Sequence, residues 1–188
     1  MKKILLLFLF LQTSVFSQDL EKTYFAGGCF WCMEESFEKK EGVLEVISGY
    51  SGGTTKNPTY KEVTYGKTGH FETIEVIFNK DSINYNDLLN HFWKNIDPFD
   101  QYGQFCDKGK SYRSVVFFSN NTQINVIKKF IKEIEKRFNK KVVTLIWQYK
   151  KFYKAEEYHQ DYYQKNFIRY LTYKNACQRE TTLNKIWK

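Results

Sequence analysis

Cys29 and Cys32 stand three positions apart in Gly27-Gly28-Cys29-Phe30-Trp31-Cys32, behind two glycines and around two large aromatics. Thr23-Tyr24-Phe25-Ala26 reads as a short strand and residues 33–40 as a helix, so Cys29 is expected at a strand-to-helix turn. Free N–H groups at a helix start favour a thiolate and lower its pKa. Residues i and i+3 share a face of a first turn, so Cys29 and Cys32 are placed to form a disulfide. The chemistry expected is thiol redox, with a resolving sulfur beside the reactive one.

A second group stands at Glu72. In the strand read over 71–78, Glu72, Ile74, Val76 and Phe78 share one face, because side chains alternate along a strand. The carboxyl therefore opens an apolar, core-directed row, where burial raises its pKa and keeps it neutral. A neutral carboxyl can give a proton to an oxygen. A satisfied structural carboxyl at the strand end fits the same residues.

Other readings of the thiols have to be weighed. A zinc site needs two further ligands at suitable spacing. Cys106 and Cys177 are isolated, and no second Cys-x-x-Cys or His-x-x-x-His occurs. A thioredoxin-like disulfide exchanger also carries Cys-x-x-Cys at a helix start. His70 reads as a hydrogen-bonded structural residue. His159, with no partner histidine, is weak ground for a metal.

The elements that must position these groups read as α+β. Strands are expected at 44–50, 71–78, 112–118 and 141–147, and helices at 85–94, 122–138 and 155–166. The helix over 122–138 is the clearest, with Ile124, Ile127, Phe130, Ile131, Ile134 and Phe138 on one stripe. The first two strand-helix-strand units resemble a split ferredoxin-like core.

Gly28-Cys29-Phe30-Trp31 resembles the signature of the peptide methionine sulfoxide reductase A family, and further motifs follow in that family's order. These are Gly49-Tyr50-Ser51-Gly52-Gly53 with Asn57-Pro58-Thr59-Tyr60, then Gly69-His70-Phe71-Glu72. Asp107 through Tyr112-Arg113-Ser114 and Ala155-Glu156-Glu157-Tyr158-His159-Gln160 complete the series. The resemblance covers 23–167 and leaves 168–188 as a C-terminal tail.

The resemblance implies a two-layer sandwich with a mixed, mainly antiparallel sheet. It also implies thiol-dependent reduction of peptide-bound and free methionine-S-sulfoxide. Cys29 would attack the sulfoxide sulfur while Glu72 protonates its oxygen, with Tyr60 and Tyr112 donating hydrogen bonds to it. Phe30 and Trp31 would cage the S-methyl group, and Asp107 would help hold substrate and water. Cys32 would resolve the Cys29 sulfenic acid, with Cys106 and Cys177 as candidate further recycling thiols. Cys106 departs from the family pattern, which usually has asparagine there. Implied too are no bound metal or organic cofactor, an external thioredoxin-like dithiol, and oxidised proteins and peptides as substrates.

Lys2 and Lys3 before the apolar run 4–11, with Val15-Phe16-Ser17 after it, read as a signal peptide over 1–17. The run is shorter than the roughly 20 residues of a membrane span, so no stable membrane insertion is expected. An exported single domain over 18–188, periplasmic or secreted and monomeric, is the expectation. The formal charge of +8 includes the two signal lysines. The remaining lysine pairs fit solvated helix faces and match no nucleic-acid module.

Overall fold

Continuous buried runs in β1 (Leu20–Ala26) and β3 (Phe71–Asn79) place these paired strands at the centre of the molecule, Phe25 opposite Ile74. A computed structural model of the chain describes residues 19–188, so the expected signal segment 1–17 lies outside the described residues. Between the central strands come α1 (Phe30–Glu38), β2 (Val43–Ser51) and α2 (Tyr60–Thr64). After β3 come α3 (Tyr85–Lys94), a small hairpin of β4 (Gly103–Gln104) and β5 (Asp107–Lys108), and β6 (Val115–Phe118). Then follow α4 (Asn121–Phe138), β7 (Leu145–Gln148), β8 (Phe152–Lys154), α5 (Tyr162–Lys165), α6 (Phe167–Ala176) and α7 (Arg179–Trp187).

The main sheet runs β7-β6-β1-β3-β2-β8. Its inner strands β6-β1-β3-β2 are all antiparallel and have the order of a ferredoxin-like core. α4 crosses over to lay β7 parallel to β6, and β8 adds antiparallel to β2. The sheet is mixed and mainly antiparallel, as expected. Helices cover one face, where Phe25, Met33, Phe37, Ile74, Leu88, Phe92 and Ile127 form the core. Each such side chain contributes roughly 1.5–3 kcal/mol by leaving water. The other face is covered near Tyr24, Phe71 and Phe117 by Tyr149 and Phe152.

Local chemistry fixes the helix ends. Asn84 and Asn120 cap α3 and α4 by accepting from the N–H of Asp87 and Gln123. Asn139, left-handed at φ 48°, stops α4. Ile127 and Ile134 of the expected stripe are buried, and Phe130, Ile131 and Phe138 flank them.

Three expected elements differ. The strand at 112–118 starts only at Val115, because a 3-10 turn over Lys110–Tyr112 bends the chain after Gly109, at φ 131°. The strand at 141–147 becomes β7 from Leu145, since the N–H groups of Val142 and Val143 bond Glu135 and Pro98 instead of β6. The helix at 155–166 is a 3-10 turn over Glu157–His159, then α5 after Asp161 at φ 53°. Gln160 causes that break. Its amide accepts from Ser48 N–H and donates to Ser48 C=O, both at 3.0 Å, tying residue 160 to β2 as an extended strand would. The tail 168–188 forms most of α6 and all of α7, packed back on the body.

Candidate active site

Gly28 has φ +82° and a Cβ there would meet Gln104 at 2.6 Å, so only glycine makes this turn into α1. Cys29 is the N-cap of α1, as the sequence implies, and its carbonyl accepts from Cys32 N–H at 3.2 Å and Met33 N–H at 3.3 Å. The turn brings the two sulfurs together on one face. Both are free thiols and both are buried, at 4% and 5% exposure. At this depth solvation outweighs the helix start. Burial pushes the Cys29 thiol above its ordinary value, helped by the Cys32 thiol and by the Glu72 and Asp107 carboxyls. The depressed Cys29 pKa expected from the helix start is therefore corrected: the resting group is a thiol. The Cys32 thiol lies lower, at about 7, chiefly because it shares a hydrogen bond with Cys29.

Glu72 sits across the sheet face from α1. Its Oε2 accepts from Phe30 N–H at 3.0 Å, and its Oε1 is buried with no hydrogen-bond partner among the described residues. Burial lifts the carboxyl to about 8, against the opposing Phe30 N–H bond, so it is neutral at pH 7. Glu75, on the opposite face of β3, is fully partnered instead, pairing with Lys22 at 3.0 Å and accepting from Tyr24 at 2.7 Å.

Two tyrosines close the third side. Tyr60 starts α2, and its N–H donates to Glu156 Oε1 at 2.8 Å while Tyr50 donates to Glu156 Oε2 at 2.8 Å. One carboxylate thus locks α2 to β2 and aims Tyr60 at Glu72. Tyr112 arrives from the 3-10 turn beside it. Burial raises both phenols, so each remains a proton-bearing donor.

Cys29, Phe30, Trp31, Tyr60, Glu72, Asp107, Tyr112 and Tyr173 line one cavity of about 60 Å³. That is several times what a water needs and far below the size of a drug-like ligand site. Cys29, Glu72, Tyr60 and Tyr112, expected for the first step, and Phe30, Trp31 and Asp107, expected for substrate contact, all lie on this wall. The resolving candidates Cys32, Cys106 and Cys177 do not. A larger groove of about 400 Å³, between Gly52, Phe117 and Trp147, has neither a cysteine nor a carboxyl in its lining.

The aromatic side of the cavity is stiff. Trp31 stacks on Tyr162 at 3.8 Å and donates from Nε1 to His159 Nδ1 at 3.1 Å. Burial depresses His159 to about 4, so its ring is neutral, and the bond from Trp31 places its own proton on Nε2. His159 acts by holding Trp31. His70 is structural, accepting from Gly53 N–H at 3.1 Å and bonding Thr55 C=O at 2.8 Å.

Sequence reasoning missed what the tail contributes. Tyr173 of α6 donates to Asp107 at 2.5 Å and joins the cavity wall, while Tyr170, one turn earlier, packs with the two thiols. The i, i+3 spacing of these tyrosines was the available signal; nothing local says where the helix docks. Cys106 and Cys177, separated by 71 residues, form a disulfide with Cα atoms 5.0 Å apart. It ties the hairpin that carries Asp107 to the end of the helix that carries Tyr173.

A family profile described as peptide methionine sulfoxide reductase matches residues 21–188. A Vibrio cholerae peptide methionine sulfoxide reductase MsrA/MsrB is 46% identical over 173 residues, covering 91% of this chain. The chain spans 46% of that longer relative. A Listeria innocua peptide methionine sulfoxide reductase MsrA is 45% identical over 91% of this chain and 98% of its own length. Among solved structures, reduced Mxr1 of Saccharomyces cerevisiae superposes with TM-score 0.74 at 31% identity, over 78% of this chain and 86% of that one. Mxr1 has also been solved in complex with Trx2. With a buried thiol pair, a neutral carboxyl and two phenols around one small cavity, the chain belongs to the peptide methionine sulfoxide reductase family, and its chemistry is thiol-dependent reduction of methionine sulfoxide.

Proposed function

We propose that Cys29 reduces the S-epimer of methionine sulfoxide, with Glu72 as proton donor and Cys32 as resolving thiol. The observation that carries this reading is the buried, unpartnered Glu72 Oε1 on the same small cavity as Cys29, Tyr60 and Tyr112. The cavity admits the methyl-sulfinyl end of a side chain, with Phe30 and Trp31 against the methyl group. The Cys29 sulfur attacks the substrate sulfur, Glu72 gives its proton to the oxygen, and Glu72 takes the proton Cys29 loses. The transient bond between the two sulfurs and the substrate S–O bond then break as the hydroxyl passes to Cys29 as a sulfenic acid, and methionine leaves. Tyr60 and Tyr112 donate to the oxygen as its charge develops. Cys32 then displaces the hydroxyl from Cys29 as water, leaving a Cys29–Cys32 disulfide. A thioredoxin-like dithiol restores both thiols and is itself oxidised to a disulfide.

The furnishing of the cavity weighs against a general disulfide exchanger, which has no use for a proton donor and two phenols around an oxygen-sized space. The deciding assay offers separated R- and S-sulfoxides of N-acetyl-methionine to residues 18–188 with excess dithiol. Turnover of the S-epimer alone is expected. Turnover of neither epimer, with rapid cycling against protein disulfides, would sink the reading.

Export of the mature chain after cleavage near Ser17 belongs to the same proposal. Its support is the Lys2-Lys3 start, the short apolar run and the small residue at Ser17. N-terminal sequencing of protein recovered outside the cytoplasm should begin near Gln18. A chain that keeps Met1 there would contradict cleavage.

A further inference from the structure

Gln178, left-handed at φ 51°, turns the chain after Cys177 and directs Arg179 inward. Arg179 is 5% exposed. Its guanidinium donates to Asn95 C=O at 2.6 Å and to Gly27 C=O at 3.4 Å, approaches Met33 Sδ at 3.1 Å, and lies 4.5 Å over the Phe105 ring. Among the described residues no carboxylate forms an ion pair with it. A buried charge with no carboxylate in contact is costly and calls for a reason, and the Asp107 carboxyl feels it only at a distance. Gly27 and Met33 bracket the turn that carries the two thiols, so the cation lies directly behind Cys29 and Cys32.

We propose that Arg179 is a positioning residue for the resolving thiol: its buried charge holds Cys32 as the thiolate that attacks the Cys29 sulfenic acid. Beside the hydrogen bond from Cys29, which lowers the Cys32 thiol most, the groups that face Cys32 include one positive charge, that of Arg179. Cys29 lies beside it on the turn, Glu72 faces it from β3 and Asp107 from β5, and Tyr170 and Tyr173 face it from α6. Glu72 is neutral at pH 7 and Asp107 opposes a thiolate. Tyr170 gives its one proton to Glu35 at 2.6 Å, and Tyr173 gives its own to Asp107. The positive charge that reaches Cys32 is that of Arg179. In the step it supports, an S–S bond forms and the Cys29 S–O bond breaks. The hydroxyl leaves as water with a proton from Glu72, and Glu72 regains one equal to that released by Cys32. The inference rests on the reductase reading only for that second step.

The test uses Cys29→Ser with the Cys106–Cys177 disulfide intact, which leaves Cys32 as the one free thiol of the chain. Its thiolate is titrated by ultraviolet absorbance with Arg179, Arg179→Gln and Arg179→Lys. The glutamine keeps hydrogen-bond donors and loses the charge; the lysine keeps the charge. An opposite charge nearby shifts a titration by about 1–3 units, so Arg179→Gln should raise the midpoint by about one unit and Arg179→Lys by much less. In the chain with Cys29, a single turnover without reductant should release methionine at the normal rate in Arg179→Gln. The trappable sulfenic acid should then persist up to about tenfold longer at pH 7. An unmoved midpoint in Arg179→Gln overturns the proposal, as does an equal rise in the lysine variant. Because the titration needs no turnover, its failure is distinct from failure of the reductase reading.

Discussion

Cys29→Ser should abolish reduction of methionine-S-sulfoxide, by on the order of 10⁴-fold or more, while leaving the fold in place. Serine is nearly the shape of cysteine, and Cys29 makes its helix-start bonds through its backbone carbonyl, which the substitution keeps. What is lost is a sulfur that can accept oxygen from another sulfur. A hydroxyl in the same cavity remains protonated and forms no sulfenic acid, so no later step can compensate. The epimer assay with excess dithiol measures this, and a thiol count confirms the species. The wild-type chain has Cys29 and Cys32 free with Cys106 and Cys177 bonded, and the variant should show one free thiol. Substantial residual turnover by Cys29→Ser would assign the attacking sulfur elsewhere.

Glu72→Gln should slow turnover of the S-epimer by about 10²–10⁴-fold, the range for loss of a positioned proton donor. Glutamine fills the same space, and its carbonyl can still accept the Phe30 N–H, so the loss isolates the transferable proton. The pH profile separates this from damage to the site. With the carboxyl at about 8, wild-type turnover should be level at pH 6–7 and fall as pH rises through about 8, where Glu72 gives up its proton. Glu72→Gln should lack that alkaline fall. Stability has a related sign. Burial raises the folded carboxyl from its ordinary 4.5 to about 8, so folding takes up a proton between those values. The contribution of Glu72 to stability is complete below about 4.5 and is lost as pH rises towards 8. The glutamine variant, thermally melted, should therefore gain on the wild type as pH rises through that window. Near-normal turnover by Glu72→Gln, with the alkaline fall unchanged, would make the carboxyl structural.

These two outcomes bear on one design. In the proposed mechanism the attacking sulfur starts as a thiol and its neighbouring carboxyl starts neutral, so the first step needs no proton from bulk water. Depth makes this arrangement workable, because burial disfavours both charged forms. It also accounts for the small cavity. A wider one would admit water to Cys29 and Glu72 and return both groups towards their ordinary values.

The sequence by itself determined the adjacent thiol pair, its strand-to-helix turn, the core-facing Glu72, the α+β class and the ferredoxin-like arrangement of the first strands. Each depends on local rules: i, i+3 spacing on a helix, alternation on a strand, and glycine where the chain must turn. Only the tertiary structure decided the rest, because the rest depends on distant contacts. The ionisation of Cys29 is one case, since its helix start is local but its burial, and the Glu72 and Asp107 carboxyls that act on it, come from distant parts of the chain. The break at Gln160 is another, because that amide bonds β2 from 112 positions away. The Cys106–Cys177 link, the entry of Tyr173 into the cavity and the burial of Arg179 arise from where the C-terminal helices dock. Their apolar pattern says that they pack, but against which surface is settled by shape and hydrogen bonds across the whole domain.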